Sequence, residues 1–393
     1  MNNKFSKRTG NVKASEIREL LKLTEAKEII SFAGGLPAEE TFPVEEMKTI
    51  CEEVLTKYGV DSMQYTVTEG NAQLIKLICN IMKEKACICD KDSILVTSGS
   101  QQGLDLTAKV LVDEGDIILC EGPTYLSAIN AFKPFYPTFV ELKMDEEGIL
   151  LEDLEEKLKT YKNIKLLYTI PDYQNPTGIK MSLDRRKGII TLANRYDFLI
   201  VEDNPYSELN YNGEIIPPIK SLDTEDRVIY LSTFSKIVCP GFRIGWVCAS
   251  QNIIRKYVLF KQGTDLHTNI FSQMLIVRFF EKYDVKEHIK KSIVLYKARK
   301  DTMLQAIKKY FPENISYTRP EGGLFLWVTL PETIDAGVLL NEALVHKVAF
   351  VPGCAFYPNG GHKNTLRLNF SSSSESQIVE GIKRLGQVMT LYV

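Results

Sequence analysis

Seven short apolar runs mark the middle of the chain: SILVTSG (93–99), DIILCEGP (116–123), FVELKM (139–144), IKLLYTIP (164–171), FLIVEDNP (198–205), VIYLSTF (228–234) and RIGWVCAS (243–250). Their residues are mostly β-branched or large, and apolar positions follow one another instead of alternating with polar ones. That pattern predicts strands covered on both faces, as in a parallel sheet. Stretches with helical spacing lie between them, at 101–112, 151–161 and 183–196. Strand–helix–strand repetition of this kind predicts an α/β body with functional residues at the carboxyl ends of its strands.

The texture changes after about residue 250. Segments 252–282 and 285–311 read as two long amphipathic helices, followed by the α+β pattern RPEGGLFLWVTL, a helix near 335–346, VAFVPGCAF and TLRLNF. The expected organisation is an N-terminal arm (1–40) shared with a small domain, a large domain (41–285) and a small C-terminal domain (286–393). No internal repeat or low-complexity tract interrupts it.

Composition narrows the partners. Forty-eight Lys+Arg against 50 Asp+Glu leave a net charge of −2, so there is no global field to grip nucleic acid or an anionic membrane. No stretch approaches a bilayer span, and the first sixteen residues lack the apolar core of a secretory signal. The eight cysteines are scattered without a CxxC and read as buried thiols, which suits a soluble cytoplasmic protein. The four histidines show neither HExxH nor paired spacing, so no metal site is expected.

Four clusters carry candidate chemistry. In Ser232-Thr-Phe-Ser-Lys236-Ile-Val-Cys-Pro-Gly241-Phe-Arg243, a lysine follows a buried strand and an arginine follows the lysine seven residues later. Such an amine, shielded from water, can have a lowered pKa and attack an aldehyde. Ser232, Ser235 and Arg243 would cradle a phosphate. In Val201-Glu-Asp203-Asn-Pro205-Tyr206, a carboxylate stands at a strand end, 33 residues before Lys236. Facing a pyridine nitrogen it would keep that nitrogen protonated. Pro171-Asp-Tyr-Gln-Asn175-Pro176-Thr177-Gly178 is a turn after a strand, and Thr97-Ser98-Gly99-Ser100-Gln101-Gln102-Gly103 opens a helix whose free N–H groups suit phosphate. Taken singly, these read equally as a surface lysine, a helix cap, a turn and a strand–helix connection. The fourth is not GxGxxG, so a nicotinamide site is not expected.

Together the clusters resemble the fold-type-I, pyridoxal-phosphate-dependent aminotransferases of class I/II, in the branch of 2-aminoadipate, kynurenine and broad-specificity transaminases. The resemblance runs from Ser31-Phe-Ala-Gly-Gly-Leu-Pro37 through Met63-Gln-Tyr65-Thr-Val-Thr-Glu-Gly70 to Thr365-Leu-Arg367-Leu-Asn-Phe370. It implies an α/β fold with a mostly parallel seven-stranded sheet in the large domain, pyridoxal 5′-phosphate as cofactor, and ping-pong transfer of an amino group from an L-amino acid to a 2-oxo acid such as 2-oxoglutarate. Lys236 then matches the Schiff-base lysine and Asp203 the partner of the pyridine nitrogen. Asn175 and Tyr206 match the ligands of the ring oxygen, and Tyr125 the aromatic stacked on the ring. Ser100, Gln101, Ser235 and Arg243 match the phosphate ligands. Arg367 matches the receptor of the substrate carboxylate, with Gly35 and Asn175 beside it. Tyr65 matches a residue reaching the neighbouring subunit's phosphate, which implies a homodimer with shared sites. Arg18, on the arm, would take a distal carboxylate. His267 is expected to be structural. Where the family has a serine two before the lysine, this chain has Phe234, which leaves open whether Thr233 or Ser235 faces phosphate. A β-lyase acting on a sulfur amino acid shares the fold and lysine. A transcriptional regulator built on the fold would need a winged helix, for which too few residues precede Ser31.

Overall fold

The computed structural model describes residues 4–11 and 28–392. The apolar runs become a seven-stranded sheet: β1 (Ile94–Thr97), β2 (Ile117–Glu121), β3 (Thr138–Leu142), β4 (Ile164–Thr169), β5 (Leu199–Asp203), β6 (Val228–Thr233) and β7 (Gly245–Cys248), in the order β1-β7-β6-β5-β4-β2-β3. Successive residues of one run bury into different cores: Leu166 packs on one face of the sheet and Leu167 on the other. This double burial is why the runs are continuously apolar.

Helices flank both faces. In chain order they are α1 (Val44–Met63), α2 (Ala72–Glu84), α3 (Ser100–Leu111), α4 (Leu126–Phe132), α5 (Leu151–Thr160), α6 (Leu183–Tyr196), α7 (Gln251–Gln262), α8 (Ile270–Lys282), α9 (Val285–Tyr310), α10 (Ala336–Val345) and α11 (Glu375–Thr390). One face packs on α3, α7 and the C-terminal elements; the other packs on α1, α2 and α8 at one end and on α5 and α6 at the other.

The sheet is mostly parallel, as expected, with one antiparallel strand: β7, from the run at 243–250, pairs antiparallel with both β1 and β6. The segment linking β6 to β7 is too short for a crossover helix and must reverse direction. The expected single helix over 252–282 is two helices, α7 and α8. Gly263 ends the first, and Leu266 takes a left-handed φ of 66°, which no helix can carry through.

The C-terminal part builds its own antiparallel sheet from β8 (Ser316–Tyr317), β9 (Phe325–Thr329), β10 (Val351–Pro352) and β11 (Thr365–Asn369), in the order β8-β9-β11-β10. Residues 30–31 pair in parallel with Val348 and Ala349, so the chain entering the large sheet is first pinned to the C-terminal part. The two parts also meet through Thr124 N–H to the Phe356 carbonyl at 2.8 Å and Thr318 Oγ1 to the Thr177 carbonyl at 2.7 Å. Among the described residues no helix is long and apolar enough to cross a membrane. Cys87, Cys120 and Cys248 are buried as expected, whereas the other five cysteines are only half-buried.

Candidate active site

The carboxyl ends of β4, β5 and β6 bring the first group together. Asp203 closes β5 and is 1% exposed. Its Oδ2 accepts a hydrogen bond from Tyr168 Oη at 2.9 Å, while its Oδ1, equally buried, has no partner among the described residues. Burial pushes its carboxyl up to about 7 despite the tyrosine, since no cation compensates for the lost hydration. A bare, buried carboxylate oxygen is costly unless something with an N–H or a positive charge fills the space before it.

Lys236 lies in the single turn that ends β6. Its Nζ donates to the Gly35 carbonyl at 2.9 Å. Burial, together with the positive charges of Arg243 and Arg367, lowers it to about 8. At neutral pH such an amine releases its proton far more readily than an exposed lysine and can act as nucleophile or base.

Arg367 points inward from β11 and is 2% exposed. Two of its five N–H donors are used, Nη1 to Asn175 Oδ1 at 2.8 Å and Nη2 to the Ala33 carbonyl at 2.6 Å. The guanidinium lies 4.3 Å from the Phe325 ring centre and 4.9 Å from that of Phe356. Burial lowers it to about 10. With Oδ1 of Asn175 committed to Arg367, its amide faces the Tyr206 hydroxyl and donates to it. Tyr206 meets Phe325 edge-on at 5.9 Å, and its hydroxyl is pushed up by burial.

The third group is a shallow cup. Gly99 caps α3 with φ 75°, so the N–H groups of Ser100 and Gln101 open the helix without intrahelical partners. A side chain at Gly99 would place its Cβ within 2.4 Å of Arg243 Nη2, so only glycine lets the guanidinium lie against this turn. Arg243 itself has φ 54° and makes only long contacts, 3.4 Å to Ser235 Oγ, 3.4 Å to the Ser98 carbonyl and 3.3 Å to the Pro240 carbonyl.

Most of the residues expected from sequence converge here, with two exceptions and one correction. Tyr65 is 79% exposed and leans edge-on against His267 at 5.9 Å. Arg18 lies outside the described residues. Ser232 does not join the cup: its hydroxyl donates to the Asn204 carbonyl at 2.8 Å, because alternation along β6 turns it away from Ser235. Ser235 is the hydroxyl beside Arg243, and Thr233 Oγ1 supports it at 2.8 Å. Tyr125 caps α4 next to Thr124, whose buried Oγ1 is unpartnered.

Sequence reasoning missed the framework beneath the site. Glu121, fully buried at the end of β2, accepts from Thr169 Oγ1 at 2.5 Å, from Ile170 N–H at 3.2 Å and from Gln174 Nε2 at 2.9 Å. Gln174 Nε2 also reaches the Pro123 carbonyl at 2.7 Å, so one side chain ties the Tyr125 turn to the Asn175 turn. Arg186 and Asp172, at 2.7 Å, form a buried pair under the same turn, and Asn204 Nδ2 donates to Asp172 at 2.7 Å. A carboxylate at a strand end was the only signal that could have pointed to Glu121.

A lowered-pKa lysine and a bare carboxylate at adjacent strand ends, an anion cup at a helix start and an inward guanidinium suit a phosphorylated pyridine aldehyde. Asp203 Oδ1 offers the acceptor that a protonated ring nitrogen needs, and the Gly99 cup leaves room for a phosphate. Fold and site thus define a fold-type-I aminotransferase, a class whose cofactor is pyridoxal 5′-phosphate. The model of the aminotransferase class I and II family matches residues 27–385, and the chain belongs to that family. It is 50% identical over 390 residues to aromatic-amino-acid aminotransferase 1 of Thermococcus litoralis, covering 98% of this chain and 94% of the relative. To the 2-aminoadipate transaminase of Thermus thermophilus it is 40% identical over 388 residues, covering 98% and 96%. The solved structure of a kynurenine aminotransferase from Pyrococcus horikoshii superposes with a TM-score of 0.96 at 46% identity, covering 100% of this chain and 98% of that one. The chain is an aminotransferase that moves an amino group from an amino acid to a 2-oxo acid.

Proposed function

We propose that the donor is an aromatic or 2-aminoadipate-type L-amino acid, that the acceptor is 2-oxoglutarate, and that the reaction runs ping-pong in the cytoplasm. The names of the relatives support the donor class, and the observation that carries the chemistry is the buried Asp203 with a bare Oδ1, in one cleft with a lysine lowered to about 8. Bound pyridoxal 5′-phosphate supplies an aldehyde to hold the amino group and a ring to take up the electron pair left when the α-proton departs.

The chain's residues do the rest. Lys236 would hold the aldehyde when no substrate is bound, and its Nζ, when free, would take the α-proton and return it at the carbon that carried the aldehyde. Asp203 Oδ1 would accept from the ring nitrogen and keep it protonated, the cationic ring in turn holding the carboxyl ionised. Tyr206 Oη and the Asn175 amide beside it would donate to the ring oxygen, and Tyr125 would cover the ring face. Ser100, Gln101, Ser235 and Arg243 hold the phosphate. Arg367 takes the α-carboxylate with its remaining donors, near Gly35, in a bidentate geometry a lysine lacks.

The exposed apolar stretch of Val60, Met63, Tyr65 and Val67 supports a homodimer in which Tyr65 enters the neighbouring protomer's site. Light scattering that showed an active monomer would remove that part of the reading.

The test is the half-reaction. Amino acids are mixed singly with the enzyme, and cofactor absorbance and 2-oxo acid are followed. Phenylalanine, tyrosine, kynurenine or 2-aminoadipate should convert the cofactor to its amine form, and Lys236→Ala should lose at least about a hundredfold in this conversion. Pyruvate and ammonia released from cysteine conjugates would make the enzyme a β-lyase instead.

A further inference from the structure

Behind the anion cup lies a buried charged group that the reaction above does not use. Lys261, in the last turn of α7, has a fully buried side chain. Its Nζ donates to both oxygens of Asp265, at 2.8 and 2.9 Å, and to Gln102 Oε1 at 2.7 Å. Gln102 Oε1 also accepts the Ser98 N–H at 2.8 Å, and its Nε2 donates to Asp265 Oδ2 at 2.8 Å. Ser98 Oγ donates to the same oxygen at 3.2 Å. Both ends of Ser98, backbone and side chain, are thereby fixed, and the Ser98 carbonyl is one of the few contacts that orient Arg243.

A buried ion pair is poor evidence of stability, because apolar residues of equal volume usually do as well. What this pair supplies is a definite geometry for the turn at 98–100. Asp265 also opens the loop that carries His267, the ring on which Tyr65 leans. We infer that Lys261 and Asp265, with Gln102, are positioning residues for the cofactor's phosphate: they hold the Ser98–Ser100 turn and Arg243 in place and, through His267, set the tyrosine offered to the neighbouring protomer. The inference rests on the reading of the Ser100–Arg243 cup as the phosphate site.

The experiment titrates the cofactor-stripped full-length protein with pyridoxal 5′-phosphate and, separately, with pyridoxal, which lacks the phosphate. Lys261→Met should weaken pyridoxal 5′-phosphate about tenfold or more and pyridoxal less than about twofold, since loss of a charge-assisted hydrogen bond acts only through the phosphate. Asp265→Asn, which keeps the side chain's shape, should show the same selectivity with a smaller loss, and it decides the matter if Lys261→Met does not fold. Equal losses for the two ligands, or unchanged affinity for pyridoxal 5′-phosphate, would overturn the inference. Arg243→Ala separates the two levels. A selective loss there with none in Lys261→Met and Asp265→Asn defeats the inference alone, whereas no selective loss in Arg243→Ala defeats the reading of the cup as well.

Discussion

Among the described residues, Arg367 and Arg243 bring guanidiniums to the cleft, and they are held in opposite ways. Arg367 stands on a strand, 2% exposed, fixed by the Ala33 carbonyl and Asn175 and layered against Phe325 and Phe356. Its hydration is already lost before any ligand arrives, so a carboxylate meets a charge that has few competing partners. Arg243 stands on a loop, exposed, in a left-handed conformation, and its guanidinium contacts Ser235 Oγ, the Ser98 carbonyl and the Pro240 carbonyl at 3.3 to 3.4 Å. Its direction comes from the turn behind it, and its remaining donors are left for an anion. The difference fits the two ligands: a substrate that comes and goes each cycle needs a preset receptor, whereas a resident phosphate can itself complete its site.

The comparison can be broken by exchanging side chains. Arg367→Lys should lose about a hundredfold in kcat/KM, because a point charge replaces the planar fork and leaves Asn175 Oδ1 and the Ala33 carbonyl short of donors. Its affinity for cofactor, measured by absorbance titration, should stay near wild type. Arg243→Lys should do the reverse: cofactor binding weakens about tenfold, and kcat at saturating cofactor changes little. Equal effects of both substitutions on both measurements would show that the two arginines are not separate devices.

Smaller changes probe what supports the preset side. Glu121→Gln sets an amide against the amide of Gln174 and should cost about 1–3 kcal/mol of stability in chemical denaturation. It should also raise KM more than it weakens cofactor binding, because Gln174 sits beside Asn175 and hence Arg367. Loss of cofactor affinity alone would place Glu121 with the cup.

The smallest effect concerns pH. Burial raises Asp203 from 3.8 to about 7. Between those values the folded cofactor-free protein holds a proton that the unfolded chain has released. Its contribution to stability is therefore present at acid pH and lost as pH rises through about 7. Asp203→Asn removes that slope, so thermal melts of the cofactor-free variant should fall less steeply than wild type between pH 5 and 8. An unchanged slope would mean that neither ionisation state is penalised and that Oδ1 is not dry.

The sequence by itself determined the elements and the inventory of the site. Runs such as VIYLSTF and the spacing of α6 reveal strand and helix because hydrophobic period is a local property, and Lys236 and Asp203 announce themselves by following such runs. Only the tertiary structure decided direction and partners. It turned β7 antiparallel, since a short connection cannot cross the sheet, and it broke the segment at 252–282 at Gly263. It chose Ser235 over Ser232, whose acceptor lies 28 residues away, and joined Gln174 to Glu121 across 53 residues and Arg367 to Ala33 across 334. Contacts at such separations form only when the sheet and the C-terminal part close on each other. A local pattern can therefore name the groups that react, but the groups that hold them at the right distance are selected by the fold.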